Sequence, residues 1–153
     1  VSGSSSGALA LVNGFLTVSD GAGGYGGDWC DAFAFHFYEL SQSWYFAHYI
    51  DLYRERLVLG GYPSMPLWMT ECGILYPESN QSRTMQQRMV IAAGKGVQAF
   101  VGYATDYTLN PLAGIAAEWN ETVSVVSGKT ITKLIKHADQ SITATINGVD
   151  YTI

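Results

Sequence analysis

Met65-Pro66-Leu67-Trp68-Met69-Thr70-Glu71-Cys72-Gly73 is a short, almost wholly apolar run that closes on a carboxylate and is stopped by glycine. A parallel strand buried inside an α/β protein has this pattern. A carboxylate at the end of such a strand is unfavourable unless it is hydrogen-bonded, paired with a Lys or Arg, or opened to a wet cleft. Glu71 therefore has two readings: a structural ion pair at a strand end, or a functional group at the mouth of a cleft.

Working outward, the segment before it alternates in a second informative way. In residues 30–40, side chains on successive positions point to opposite faces of a strand. Ala32, Ala34, His36 and Tyr38 then share one face, and Phe33, Phe35 and Phe37 the other. Small residues suit a barrel interior, and the Phe row suits an outer layer of helices. Between the two strands, residues 43–61 have a helix signature. Ser43 can cap, Phe46, Tyr49, Ile50, Tyr53 and Leu57 recur at steps of three and four, and Gly60-Gly61 stops the run. After Gly73 and a polar loop, residues 82–93 read as another helix with Met85, Met89 and Ala92 inward, ended by Gly94-Lys95-Gly96. Val97-Gln98-Ala99-Phe100-Val101-Gly102-Tyr103 is a third strand. Strands alternating with helices at this interval predict consecutive right-handed βαβ units.

Two of these strands carry a resemblance. The Trp68-Met69-Thr70-Glu71-Cys72-Gly73 run resembles the seventh strand of the large clan of retaining glycoside hydrolases built on the (β/α)8 TIM barrel, which ends in Thr-Glu-x-Gly. The run from Asp31 through His36 to Tyr38 resembles the sixth strand of the same clan, Asp-x-x-x-x-His-x-Tyr. The resemblance implies that Glu71 is the nucleophile, that Tyr38 donates its hydroxyl to it, and that His36 binds a sugar hydroxyl. A retaining mechanism needs two carboxyls about 5 Å apart. The clan supplies the second from an Asn-Glu pair on its fourth strand, and no matching segment occurs here. Asn120-Glu121 lies after the last barrel strand, so the role is not carried onto it. The clan's sugar-stacking Trp falls at or near Gly102, so either Tyr103 substitutes for it or the platform is missing, which would point to binding without turnover.

The fold expected is therefore α/β, the C-terminal half of a TIM barrel with about strands 5–8. The fifth strand is assigned to residues 8–18, an apolar stretch interrupted by Asn13-Gly14. Residues 1–7, a Gly/Ser tract, read as a flexible lead-in, residues 8–128 as the half-barrel, and residues 129–153 as the start of an appended β-module. The Asn147-Gly148 link between β-branched runs predicts a type I′ hairpin there. The glycines of residues 20–28 have no following Gly-Lys-Ser/Thr, so that stretch reads as a surface loop beside a cleft rather than a phosphate cradle. Residues 112–119 are expected to pass behind the barrel mouth, with a last helix starting at Asn120.

At 153 residues and 48% apolar, the chain can bury a sizeable core. A net charge of −5 with 14% charged residues argues against nucleic acid or an anionic membrane as partner. No apolar run is long enough to span a bilayer, and none reads as a signal peptide. No metal or cofactor is expected, because the His and Cys residues lack ligand spacing. Cys30 and Cys72, near the bottom of one strand and the top of its neighbour, would stand about 15 Å apart at 3.3 Å per residue, too far for a disulfide. The sequons Asn80-Gln81-Ser82 and Asn120-Glu121-Thr122 fit an extracellular or cell-surface protein.

Half a barrel leaves two open sheet edges and an apolar face, so the rest of the barrel is expected from another polypeptide or from the remainder of a precursor. Two functions follow from the resemblance: the nucleophile-bearing half of a retaining glycosidase acting on a polysaccharide or glycan, or a catalytically inactive barrel used as a carbohydrate-binding or structural subunit.

Overall fold

The computed structural model describes residues 5–38, 43–74, 81–104 and 112–153. The element order is α1 (Ser5–Thr17), a 3₁₀ turn (Gly26–Trp29), β1 (Phe33–Phe37), α2 (Ser43–Leu59), β2 (Leu67–Ile74), α3 (Gln81–Gly94), β3 (Val97–Ala104), α4 (Leu112–Val126), β4 (Ile131–Lys136), β5 (Ile142–Ile146) and β6 (Val149–Thr152). The protein is mixed α/β: β1, β2 and β3 form a parallel sheet in sequential order, and β4, β5 and β6 an antiparallel one.

One face of the parallel sheet is packed and the other is open. On the packed side Phe35 and Phe37 are buried, and the rings of Phe33, Phe35 and Phe37 meet Phe46, Tyr49 and Tyr53 of α2 at centroid distances of 4.9–6.5 Å. The helix periodicity read from the sequence is realised: Phe46, Ile50, Tyr53 and Leu57 of α2 and Met85, Met89 and Ala92 of α3 are buried. Burying an aromatic or aliphatic side chain of this size contributes about 1.5–3 kcal/mol, so the interface with the helices is the main source of cohesion. On the open side Ala34 and His36 are exposed, and Trp68 and Val101 retain 43% and 51% of their accessible surface. A parallel sheet is ordinarily covered on both faces.

Two expectations are corrected. Residues 8–18 form no strand. They belong to α1, which also takes in Ser5–Gly7 of the expected lead-in; residues 1–4 lie outside the described residues. Val12 and Leu16, four apart, join the core cluster, with Leu9 packed against it. This is a helical period, and it prevails because Val12 and Leu16 pack into the core beside α2, which outweighs the cost of Gly14 within the helix. Among the described residues the parallel sheet thus has three strands, not four. The last helix begins at Leu112 rather than Asn120 and continues through the valines to Val126. Its packing on α3, with Gln86 Nε2 donating to the Glu118 carbonyl (3.2 Å) and Thr122 fully buried, outweighs the weak propensity of β-branched residues. The glycine-rich loop is a surface loop beside a cavity, as expected, and it lies at the N-terminal ends of β1 and β2. Tyr62 Oη donates to Asp28 Oδ1 (3.0 Å), and the loop borders a surface cavity of about 410 Å³ with Cys30, Asp31 and Tyr62. Its own turn is held by Asp20 Oδ1, which accepts from the Ala22 and Gly24 amides (2.7 and 2.9 Å), and these bonds hold the carboxyl below its ordinary range.

The hairpin stands as read. Asn147 and Gly148 both have positive φ, 49° and 85°, as a type I′ turn requires. The antiparallel sheet is locked onto α3: Gln87 Nε2, 5% exposed, donates to the carbonyls of Gln140 (3.0 Å) and Ile153 (3.1 Å), and Val90 packs with Ala144 and Ile146.

Candidate active site

Glu71 owes its position to an irregularity in β2. Strict alternation would place Glu71 with Leu67 and Met69, both fully buried beneath the helices. The pairing of β1 with β2 runs Phe35↔Met69 and then His36↔Glu71, so Thr70 is an extra residue opposite one step of β1. The pairing with β3 slips at the same place, from Met69↔Phe100 to Cys72↔Gly102. This β-bulge reverses the phase of the strand. Met69 and Cys72, three positions apart, both lie on the packed face, and Glu71 is turned to the open face beside His36.

There the carboxylate meets the residues expected of it. Tyr38, just past the end of β1 and half-buried, donates its hydroxyl to Glu71 Oε2. His36 Nδ1 lies 3.7 Å from the same oxygen, each side chain 45% exposed, and the His36 and Tyr38 rings stand edge to face at 6.4 Å. Among the described residues no Lys or Arg reaches ion-pairing distance of Glu71. The structural ion pair considered for Glu71 therefore has no partner there. What remains is a half-exposed carboxylate, hydrogen-bonded and aimed, at the C-terminal ends of two adjacent parallel strands. Such a carboxylate can act as a nucleophile or as a hydrogen-bond acceptor for a polar ligand.

Gly102, by contrast, belongs to the packed face: a Cβ there would lie 3.4 Å from Met85 Cε and 3.4 Å from the Trp119 ring. The position therefore faces the helices rather than the open face that carries Glu71. The backbone of Tyr103 pairs with Gly73, and its side chain lies outside the described residues. Asn120 is an exposed residue of α4, and Asn80 of the other sequon lies outside the described residues.

Behind the site, on the packed face, Cys72 is fully buried, and burial pushes its thiol up to about 11 against a partial opposing pull from Arg88. Both cysteines are free thiols. Arg88 of α3 is fully buried as well, with Nη1 donating to the Gly73 carbonyl at 3.0 Å and its guanidinium 4.8 Å from the centre of the Phe37 ring. The sequence reading passed over both the bulge and Arg88. Each leaves a trace: the inward apolar positions Leu67, Met69 and Cys72 step by two and then three, and Arg88 sits three positions after Met85 on an otherwise apolar helix face. Among the described residues no group of His, Cys, Asp and Glu could hold a metal ion.

No family model matches the chain, and no curated protein or solved structure matches it closely enough to carry an argument.

Proposed function

We propose that this chain is the nucleophile-bearing, C-terminal part of a (β/α)8-barrel glycoside hydrolase of retaining type, acting on a polysaccharide or glycan in an extracellular or cell-surface setting. The observation that carries the reading is the Tyr38 hydroxyl donating to the Glu71 carboxylate, with His36 beside it, at the C-terminal ends of β1 and β2. That is the end of the barrel at which this fold gathers catalytic groups. The architecture supports the same reading. Parallel strands in sequential order with both α2 and α3 packed on one face of the sheet are what a barrel wall requires. A doubly wound sheet would cover both. The open face, with His36, Trp68 and Glu71, would become the barrel interior once another polypeptide or the rest of a precursor adds the remaining strands.

In this reading Glu71 attacks the anomeric carbon as the glycosidic C–O bond breaks and a proton passes to the leaving oxygen from a carboxylic acid of the completing half. A glycosyl ester forms on Glu71. Water, deprotonated by that same second carboxyl, then releases the sugar with retained configuration. Tyr38 orients the Glu71 carboxylate through its hydroxyl, and His36 bonds a sugar hydroxyl. The alternative, a catalytically inactive barrel that binds carbohydrate, differs in one respect: whether the completing half sets a carboxyl about 5 Å across from Glu71.

The test is Glu71→Gln in the completed assembly, together with treatment of the wild type with activated 2-deoxy-2-fluoro glycosides. Loss of turnover in the variant and a fluorosugar ester on the Glu71 peptide of the wild type are expected. Full hydrolytic activity in Glu71→Gln would overturn the enzyme reading, and saturable glycan binding without any hydrolysis by the wild type would select the inactive barrel.

A further inference from the structure

A fully buried guanidinium in the middle of an apolar helix face needs a reason, because desolvating it costs several kcal/mol that Met or Leu at the same position would not. The contacts of Arg88 supply one. Nη1 donates to the Gly73 carbonyl (3.0 Å) and lies 3.9 Å from Cys72 Sγ, and the guanidinium lies over the Phe37 ring at 4.8 Å. Phe37 stands between His36 and Tyr38 in the chain, and Gly73 comes two residues after Glu71. Phe37 and Cys72 are also register partners. Arg88 thus grips, from the helix side, the two strand ends whose other side carries His36, Tyr38 and Glu71.

The grip falls where the sheet is weakest. The bulge at Thr70 and Glu71 interrupts the ladder toward both β1 and β3, and an interrupted ladder no longer fixes the two strand ends against each other. Resting on the glycosidase reading above, we infer that Arg88 is a positioning residue: it pins the ends of β1 and β2 together just beyond the bulge and so sets the approach of Tyr38 Oη to the Glu71 carboxylate. Apolar packing could fill the same volume but has no directional bond for the Gly73 carbonyl.

Arg88→Met and Arg88→Lys test this in the completed assembly. Arg88→Met keeps the bulk and removes the donor; Arg88→Lys keeps the charge and a donor but cannot lie flat on Phe37. Two readouts are needed. The first is the hydroxyl proton of Tyr38, identified in the NMR spectrum by its loss in Tyr38→Phe; it broadens or moves upfield in both variants if Arg88 positions the pair. The second is a kcat loss of roughly 10- to 100-fold for Arg88→Met, the scale expected of a small misplacement of a reacting group, with KM little changed and a smaller loss for Arg88→Lys. If Arg88→Met does not fold, Arg88→Lys decides by the same two measurements. A folded variant with the wild-type proton signal and wild-type kcat overturns the inference. If the wild type hydrolyses no glycoside, the glycosidase reading fails and the proton signal alone decides for or against Arg88 as the residue that sets this pair.

Discussion

Replacing Tyr38 by Phe removes a hydroxyl that donates to Glu71 Oε2, and the consequence for stability is calculable. A hydrogen bond to a charged acceptor contributes about 1.5–3 kcal/mol when it is shielded from water. The Glu71 side chain is 45% exposed, so water competes for the carboxylate and the net coupling falls to about 1 kcal/mol. His36, 3.7 Å away and equally exposed, is too distant for a hydrogen bond and adds little. The assay is a double-mutant cycle of Tyr38→Phe, Glu71→Ala and the double variant, each unfolded in urea at neutral pH. The interaction term should be about 1 kcal/mol, stabilising. A term below about 0.3 kcal/mol, within the usual error of additivity, would refute the assignment of Tyr38 as the group that holds Glu71. On the glycosidase reading proposed above, the same Tyr38→Phe change in the completed assembly should lower kcat by about fivefold, since about 1.4 kcal/mol corresponds to a factor of ten in rate.

Three other outcomes can be checked directly. With its thiol fully buried and pushed up to about 11 from an ordinary 9.0, Cys72 should resist iodoacetamide in the native protein at pH 8 and react only after denaturation, while the partly exposed Cys30 is alkylated in both; intact mass reads the count. The same shift makes stability pH-dependent. Because the folded value is raised above the unfolded one, the contribution of the neutral thiol is complete below pH 9 and is lost as the pH rises toward 11, so Cys72→Ala should flatten that alkaline limb of the stability curve. Gly148→Ala places a side chain at φ 85° in the hairpin and should lower stability by about 1 kcal/mol in thermal unfolding, with Asn147→Gly near neutral as its control.

The candidate site was legible as far as residue type and spacing carry it. His36 and Tyr38, two apart, belong on one side of a strand whatever the fold, and the Phe row on the other side names the face the helices take. Glu71 was found because a carboxylate ending an apolar run is chemically conspicuous. Its actual orientation was not legible, since simple alternation sends it beneath the helices and only the slip at Thr70 brings it back. Residues 8–18 misled for a related reason. Leu9, Val12 and Leu16 fit a helix as well as their apolar neighbours fit a strand, and what decides between them is the space beside α2, which no local pattern contains.

The sequence by itself determined the alternation of strands and helices, the amphipathic faces of α2 and α3, and the Asn147-Gly148 turn, because each depends on neighbours within a few residues. Only the tertiary structure decided that the parallel strands among the described residues number three, that α4 runs from Leu112 through its valines, that the antiparallel sheet is fastened to α3 by Gln87, and that Arg88 stands behind Glu71. Each of these rests on contacts between segments distant in the chain, where burial and the pairing of strand edges outweigh local preference.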